Sequence, residues 1–274
     1  IRNYVMMRRT NDEQETIYEN YWLKLEKIFP ESKKLAEFFR FYLASKTYTL
    51  TTEKDLYAAF KEYWSENDGE VHYLTILEDL LHYAKHFERL YLSDNNDPLG
   101  EQLHDFRKLQ SFMPAPFSMR MLEHLRKNEI TQAQAQKVLK TLNTYLIRRY
   151  INGQDTSAIS RFFPGYLRNV ECQVENVGSF DKYVDICTYY LVNETKAKST
   201  FMPDDTQIKT YLEIANAYSL SYIRWVLDKI EGHNNPAPVD LSALNIEHVM
   251  PQTPNEYWES MSGLDQDDYI KVVN

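Results

Sequence analysis

Glycine is scarce in this chain of 274 residues, with seven in all against an average usage of ~7%. Sheet turns and phosphate-cradling loops both use glycine, so the shortage disfavours an all-β fold. Neither G-x-G-x-x-G nor G-x-x-x-x-G-K-[ST] occurs, which speaks against dinucleotide-binding and P-loop chemistry. Cysteine is nearly absent too. Cys172 and Cys187 cannot staple a domain of this size, so a reducing compartment is expected. With no C-x-x-C pairing, both read as ordinary buried thiols. Long apolar runs are missing: none reaches the roughly 18 residues of a membrane span, and no signal peptide opens the chain. A membrane is therefore not among the expected partners. The chain starts at Ile1 rather than Met, and further sequence is expected to precede it.

What is present argues for a folded, helical protein. The length suffices for one large domain or two ordinary ones, and 21 tyrosines are incompatible with a disordered composition. At helical spacing these tyrosines read as core and interface rather than as base-stacking platforms. The net charge of −9 would normally argue against a nucleic-acid partner, but it is unevenly distributed. From Arg107 to Arg168 eleven Lys and Arg face only Glu123, Glu129 and Asp155, a local charge of +8; from Asn234 to Asn274 seven acids face Lys271 alone, a charge of −6. The basic middle reads either as a footprint for a phosphate backbone or as basic helices packed beside acidic ones.

Apolar residues three and four apart predict helices over 18–29, 33–43, 53–64 and 73–92. Residues 94–98 and 113–116 read as loops. Thr131 and Gln134 form a T-x-x-Q capping box ahead of a stripe made by Val138, Leu139, Leu142, Tyr145, Leu146 and Tyr150. A helix from about Thr156 is expected to stop at Pro164-Gly165, and others follow over 180–192, 204–217 and 220–231. Asp204 and Asp205 suit the N-terminus of the second of these, where carboxylates meet the positive end of the helix dipole. The texture then changes. Residues 232–238 read as a loop and 243–250 as a short strand. The predicted class is mainly α, a multi-helix domain over 1–232 followed by an incomplete small α+β segment over 233–274.

The run Asn245-Ile246-Glu247-His248-Val249-Met250-Pro251-Gln252 stands apart from this helical texture. A strand end that delivers a histidine can place a general base of pKa ~6.5 near neutrality, although structural histidines occupy such places as well. Glu247 and His248 would point to opposite faces of the strand. Other clusters carry less. His82, His86 and Glu78 share one helix face without a third strong ligand, so a solvated face is expected. Asp265, Asp267 and Asp268 lack the glycine and the closing glutamate of an EF-hand loop. Arg148 and Arg149 suit a phosphate and an interdomain carboxylate equally well.

The stretch Ile246 to Gln252, with Trp258 following, resembles the I-E-H-[IV]-[LM]-P-Q…W opening of the HNH-like, His-Me finger domain of GmrSD-type modification-dependent restriction enzymes. Tyr145 to Ile151 is similar to that family's Y-[LI]-[IV]-R-R segment. Asn152-Gly153 with Thr156 fits the G-x-x-T after it, and Ile1-Arg2-Asn3-Tyr4 resembles the start of its helical region. The resemblance implies a DNA endonuclease of restriction and phage-defence type, in a prokaryotic cytoplasm, acting on DNA that includes modified phage DNA. It implies His248 as the base that activates water, Mg²⁺ or another divalent cation as cofactor, and Glu247 as the nearest metal or supporting ligand. Arg148, Arg149, Arg161, Lys137 and Lys140 become the candidates for DNA contact. The family's G-N-L asparagine, the helix that completes the metal site, and the N-terminal ParB-like nucleotide-hydrolysing domain have no counterpart here. A chain holding the middle of a longer protein, inactive alone, is expected. The competing expectation is a non-catalytic helical scaffold whose basic middle binds acidic partner surfaces.

Overall fold

The computed structural model describes residues 1–274 apart from 94–95, 110, 155–156, 196–198, 214–221, 236–250, 252, 254, 266–267 and 269–274. Two units divide the chain: Ile1–Tyr145 with Asp155–Met202, and Leu146–Gln154 with Pro203–Asn274. Among the described residues every regular element is helical. The mainly α expectation is met there, and the strand expected over 243–250 lies outside the described residues.

The first unit contains α1 (Arg2–Met6), α2 (Asn11–Ile17), a π-helical turn (Tyr18–Trp22), α3 (Leu23–Ile28), α4 (Ser32–Thr47), α5 (Leu56–Glu66), α6 (Gly69–Tyr91), α7 (Glu101–Lys108) and α8 (Ala115–Arg126). It continues with most of α9 (Gln132–Ile151), then α10 (Ser157–Val177), α11 (Tyr183–Thr188) and a second π-helical turn (Tyr189–Asn193). Helix α8 is central, with α4, α6 and α10 packed against it. Its residues Ala115–Met119 and Met121–His124 are all buried. Aromatic rings fill the space beside it: Phe29 stacks on Phe38 at 4.7 Å, and Phe87 lies 6.0 Å from Phe38 and 5.9 Å from Phe112. Tyr42, Tyr83, Tyr145, Tyr166 and Tyr183 are buried, so these tyrosines are core residues as expected.

Capping chemistry sets several starts. The Thr131–Gln134 box forms as expected, Thr131 N–H donating to Gln134 Oε1 at 2.8 Å and Gln134 N–H to Thr131 Oγ1 at 3.2 Å. A second box, Thr10 with Glu13, starts the first long helical run at Asn11 rather than at Tyr18. At the α5–α6 junction Asp68 takes a left-handed φ of 47°. The next residue, Gly69, lies so close to Trp64 that a Cβ would collide with the indole ring.

Three local expectations are corrected. Helix α10 does not stop at Pro164-Gly165 but runs through both to Val177. Phe163, Tyr166, Leu167, Val170 and Val174 are buried in one helical register across the break. Burying a large apolar side chain is worth ~1.5–3 kcal/mol, so this stripe outweighs penalties of about 3 kcal/mol for proline and about 1 kcal/mol for glycine. Helix α8 begins at Ala115, inside the expected 113–116 loop, because proline is tolerated in a first helical turn. Cys172 is exposed and only Cys187 is buried; Cys172 falls on the outward stripe that α10 gains by continuing.

The second unit holds the end of α9, α12 (Asp205–Leu212), α13 (Ile223–Asn234) and α14 (Glu256–Ser262). Asp204 caps α12 as expected, in a reciprocal box with Gln207 (2.8 and 3.0 Å). Gly153, at φ 61°, sits where a Cβ would strike the phenol of Tyr211. Tyr150 stacks on Tyr222 at 5.1 Å. Helix α13 passes through Gly232 and His233 to Asn234, so no loop begins at 232, and the rest of the expected loop from 236 lies outside the described residues. A single helical glycine costs only about 1 kcal/mol, and His233 near the C-terminus suits the helix dipole.

Candidate functional site

Glu247 and His248, the expected metal-proximal acid and base, lie outside the described residues. The motif is visible on its C-terminal side. Asn255 caps α14 by accepting from Trp258 N–H at 3.1 Å, Trp258 is half-buried, and Gly263 ends the helix at φ 65°. Asp265 accepts from the backbone N–H of Asp268 at 2.9 Å, which makes it a turn-former. Among the described residues no group of three or more His, Cys, Asp and Glu is arranged to hold a metal ion.

The basic middle resolves into two populations. The first is committed inside the protein. Arg126 forks onto Glu123 (2.9 and 2.7 Å), Arg120 Nη2 donates to the Ser45 carbonyl at 2.9 Å, and Arg107 Nη2 to the Arg89 carbonyl at 2.7 Å. In the second unit Arg148 donates to the Pro203 carbonyl at 3.0 Å and pairs with Asp205. The Arg148–Asp205 pair stands beside an apolar hollow of about 560 Å³ lined by Ile151, Ile208 and Leu212. Arg149 is only 1% exposed, so it offers no surface to a nucleic acid. The second population is free. Lys137 and Lys140 on α9 and Arg161 and Arg168 on α10 are exposed, and among the described residues none of the four is paired with a carboxylate.

Around α8 the structure builds a polar system that sequence spacing does not reveal. His86 is buried rather than on a solvated face, and its Nε2 lies 3.0 Å from Glu123 Oε2. A carboxylate only accepts, so the imidazole donates there. Burial pushes the His86 pKa below its usual value, and Glu123 offsets this only in part. Burial likewise opposes ionisation of Glu123, but the bonds from Arg126 and His86 outweigh it and hold its carboxyl well below the usual carboxylate range. His124 is clamped between Glu129 (2.5 Å) and Glu171 (2.8 Å). These pairs join α8 to α6 and α10.

A cleft of about 990 Å³ between α4, α5 and α6 was also hidden from the sequence. At its floor Lys46 Nζ pairs with Asp79 at 2.7 Å, and Tyr42 donates to the same carboxylate at 2.8 Å. Burial lowers the Lys46 ammonium to about 8 in spite of Asp79. The residues come from helices more than thirty positions apart, with no motif to tie them together.

Against this geometry, residues 202–274 match the family described as GmrSD restriction endonucleases, C-terminal domain. The match covers the C-terminal quarter of the chain, and it is this segment that is similar to the family. No curated protein and no solved structure matches the chain. The start of the GmrSD match coincides with the unit boundary at Met202–Pro203, and α12, α13 and α14 are the described helices of the GmrSD segment. The matched stretch contains Ile246 to Gln252 and Trp258, the residues that carried the resemblance. The likeness of this segment points to endonuclease and hydrolase chemistry of restriction type, with DNA as the substrate class. Among the described residues no helix is long and apolar enough to cross a membrane.

Proposed function

We propose that this chain is part of a metal-dependent DNA endonuclease of the restriction type, with His248 as general base. The observation that carries the proposal is the family match over 202–274, which includes the Ile246-Glu247-His248-Val249-Met250-Pro251-Gln252 run. In this reading His248 removes a proton from a water molecule, whose oxygen bonds to the scissile phosphorus as one ester P–O bond breaks. The leaving alkoxide is then protonated from solvent. A divalent cation such as Mg²⁺ would stabilise the charge that grows on the phosphoryl oxygens, with Glu247 near it; among the described residues no group of three or more His, Cys, Asp and Glu is arranged to hold such an ion. The nuclease segment proper is placed over 233–274, with 1–232 as the helical region ahead of it. Modified phage DNA is the proposed target.

The scaffold reading draws on one observation, the commitment of Arg107, Arg120, Arg126 and Arg148 to internal partners. Cleavage by the wild type and by a His248 variant separates the two. In the full-length protein His248→Ala is expected to lower Mg²⁺-dependent plasmid cleavage by at least ~10²-fold, the usual scale for loss of a general base, with melting temperature and duplex binding retained. Cleavage at the wild-type rate would remove the base assignment, and a wild-type protein that cuts no DNA with Mg²⁺ present would favour the scaffold.

A further inference from the structure

We propose that the outward ridge of α10, Arg161–Gly165–Arg168, seats the phosphate backbone of duplex DNA. The inference rests on the DNA-endonuclease reading and adds to it the surface that holds the substrate. It starts from a residue with no structural reason to be what it is. Gly165 lies inside a helix, where glycine costs about 1 kcal/mol relative to alanine. Its backbone is not left-handed, and a Cβ built on it would meet nothing within 4 Å. Neither packing nor conformation asks for glycine. Pro164 beside it is buried, as are Phe163 and Tyr166, whereas Gly165 is exposed.

Its neighbours on the same stripe give the chemistry. Arg161, Gly165 and Arg168 fall at i, i+4 and i+7, all exposed, so one helix face carries two guanidinium groups with a bare position between them. The arginines start about 10 Å apart along the axis. Their long side chains can reach phosphates on both edges of a minor groove about 6 Å wide, each as a planar fork. The missing side chain at 165 lets the helix backbone approach the strand. Neither arginine has a carboxylate partner among the described residues, in contrast to Arg120, Arg126 and Arg148. The opposite stripe of α10 is buried in the core, which fixes the direction of the ridge. Exposed Glu175, two turns on from Arg168, limits the positive surface at that end.

Anisotropy titrations of a labelled 30-bp duplex, done across a salt series in the cleavage-silenced His248→Ala background of the full-length protein, test this. Joint replacement of Arg161 and Arg168 by alanine is expected to weaken binding about tenfold or more. It should also flatten the log–log salt dependence by about 1.8, since each lost phosphate contact removes ~0.9. Gly165→Leu is expected to weaken binding severalfold while leaving the melting temperature equal or higher, because leucine is the better helix former and has room. An unchanged affinity and salt slope in the double arginine variant would overturn the ridge, as would a wild-type protein without duplex affinity. Gly165→Leu binding as tightly as its parent would overturn the close approach. Ridge variants that bind normally leave the His248 assignment standing, and if the His248→Ala protein still cuts, the same titrations with divalent cations chelated by EDTA keep the ridge result readable, so the two failures are distinct.

Discussion

Gly69→Ala is expected to destabilise the first unit by about 3 kcal/mol, the upper end of the usual overpacking range. The added methyl would overlap atoms of the Trp64 indole. Trp64 is fully buried and lies against Phe60 (5.8 Å) and Tyr4 (6.2 Å), so the ring has little freedom to retreat. The backbone cannot easily give way either, because Asp68 just ahead already holds a left-handed φ of 47°. For a unit of this size the loss corresponds to a drop in melting temperature on the order of 10 °C, readable by calorimetry or circular dichroism. Gly165→Ala is the matched control. It is the same change inside a helix but into open space, and it is expected to be neutral or to stabilise by up to about 1 kcal/mol. A Gly69→Ala protein that melts with wild type would show that Trp64 has room after all.

Glu123→Ala is expected to cost about 3 kcal/mol or more, the scale of breaking a buried charged pair by removing one side. It would strip His86 of its acceptor in the core and free Arg126. The effect carries a pH signature. The folded pKa of Glu123 is depressed, so its stabilisation is fully present above the ordinary value of 4.5 and is lost as pH falls through the lower folded value. Below pH 4.5 the unfolded chain binds the proton first, and stability falls with pH. The variant lacks this group, so its urea-derived stability should fall less steeply than that of wild type across the same acid range. Parallel slopes would mean that Glu123 is not the ionised partner described above. His86 adds a drift of the same sign at higher pH. Its folded pKa is lowered, so the unfolded state takes up that proton first as pH drops through about 6.5.

Helix class and most helix positions were legible because they follow from local rules. The Thr131–Gln134 box and Asp204 announced their helices, and the buried stripe from Val138 to Leu146 follows the 3.6-residue period. What local rules misjudged was decided by long-range packing. Pro164-Gly165 looked like a stop because the burial of Phe163, Tyr166 and Leu167 is not written next to it. Thr10-x-x-Glu13 carries the capping-box spacing, a local signal that sets the start of the first helical run seven residues ahead of the apolar stripe at Tyr18. For the candidate site the limits were different. Charge counting treats Arg120, Arg126 and Arg161 alike, yet Arg120 lies 3.7 Å from the Glu171 carboxylate and Arg126 forks onto Glu123, whereas Arg161 faces solvent. Burial of Arg149 beside partly exposed Arg148 is equally invisible in the dipeptide. The Lys46–Asp79 cleft gave no signal, because its parts meet only when three helices do. The histidine motif was readable for the opposite reason, since its residues are consecutive.

The membership of Leu146–Gln154 in the second unit bears on how this protein can be cut. A recombinant piece drawn from the family boundary at residue 202 would leave behind Arg148, Tyr150 and Gly153. Asp205 would then lose its guanidinium, Tyr222 its stacking partner, and Tyr211 the glycine against which it lies. Where sequence families are used to choose expression boundaries, the nine residues Leu146–Gln154, the end of α9 and the turn after it, would have to be carried along, grafted ahead of Pro203 or retained with the whole chain.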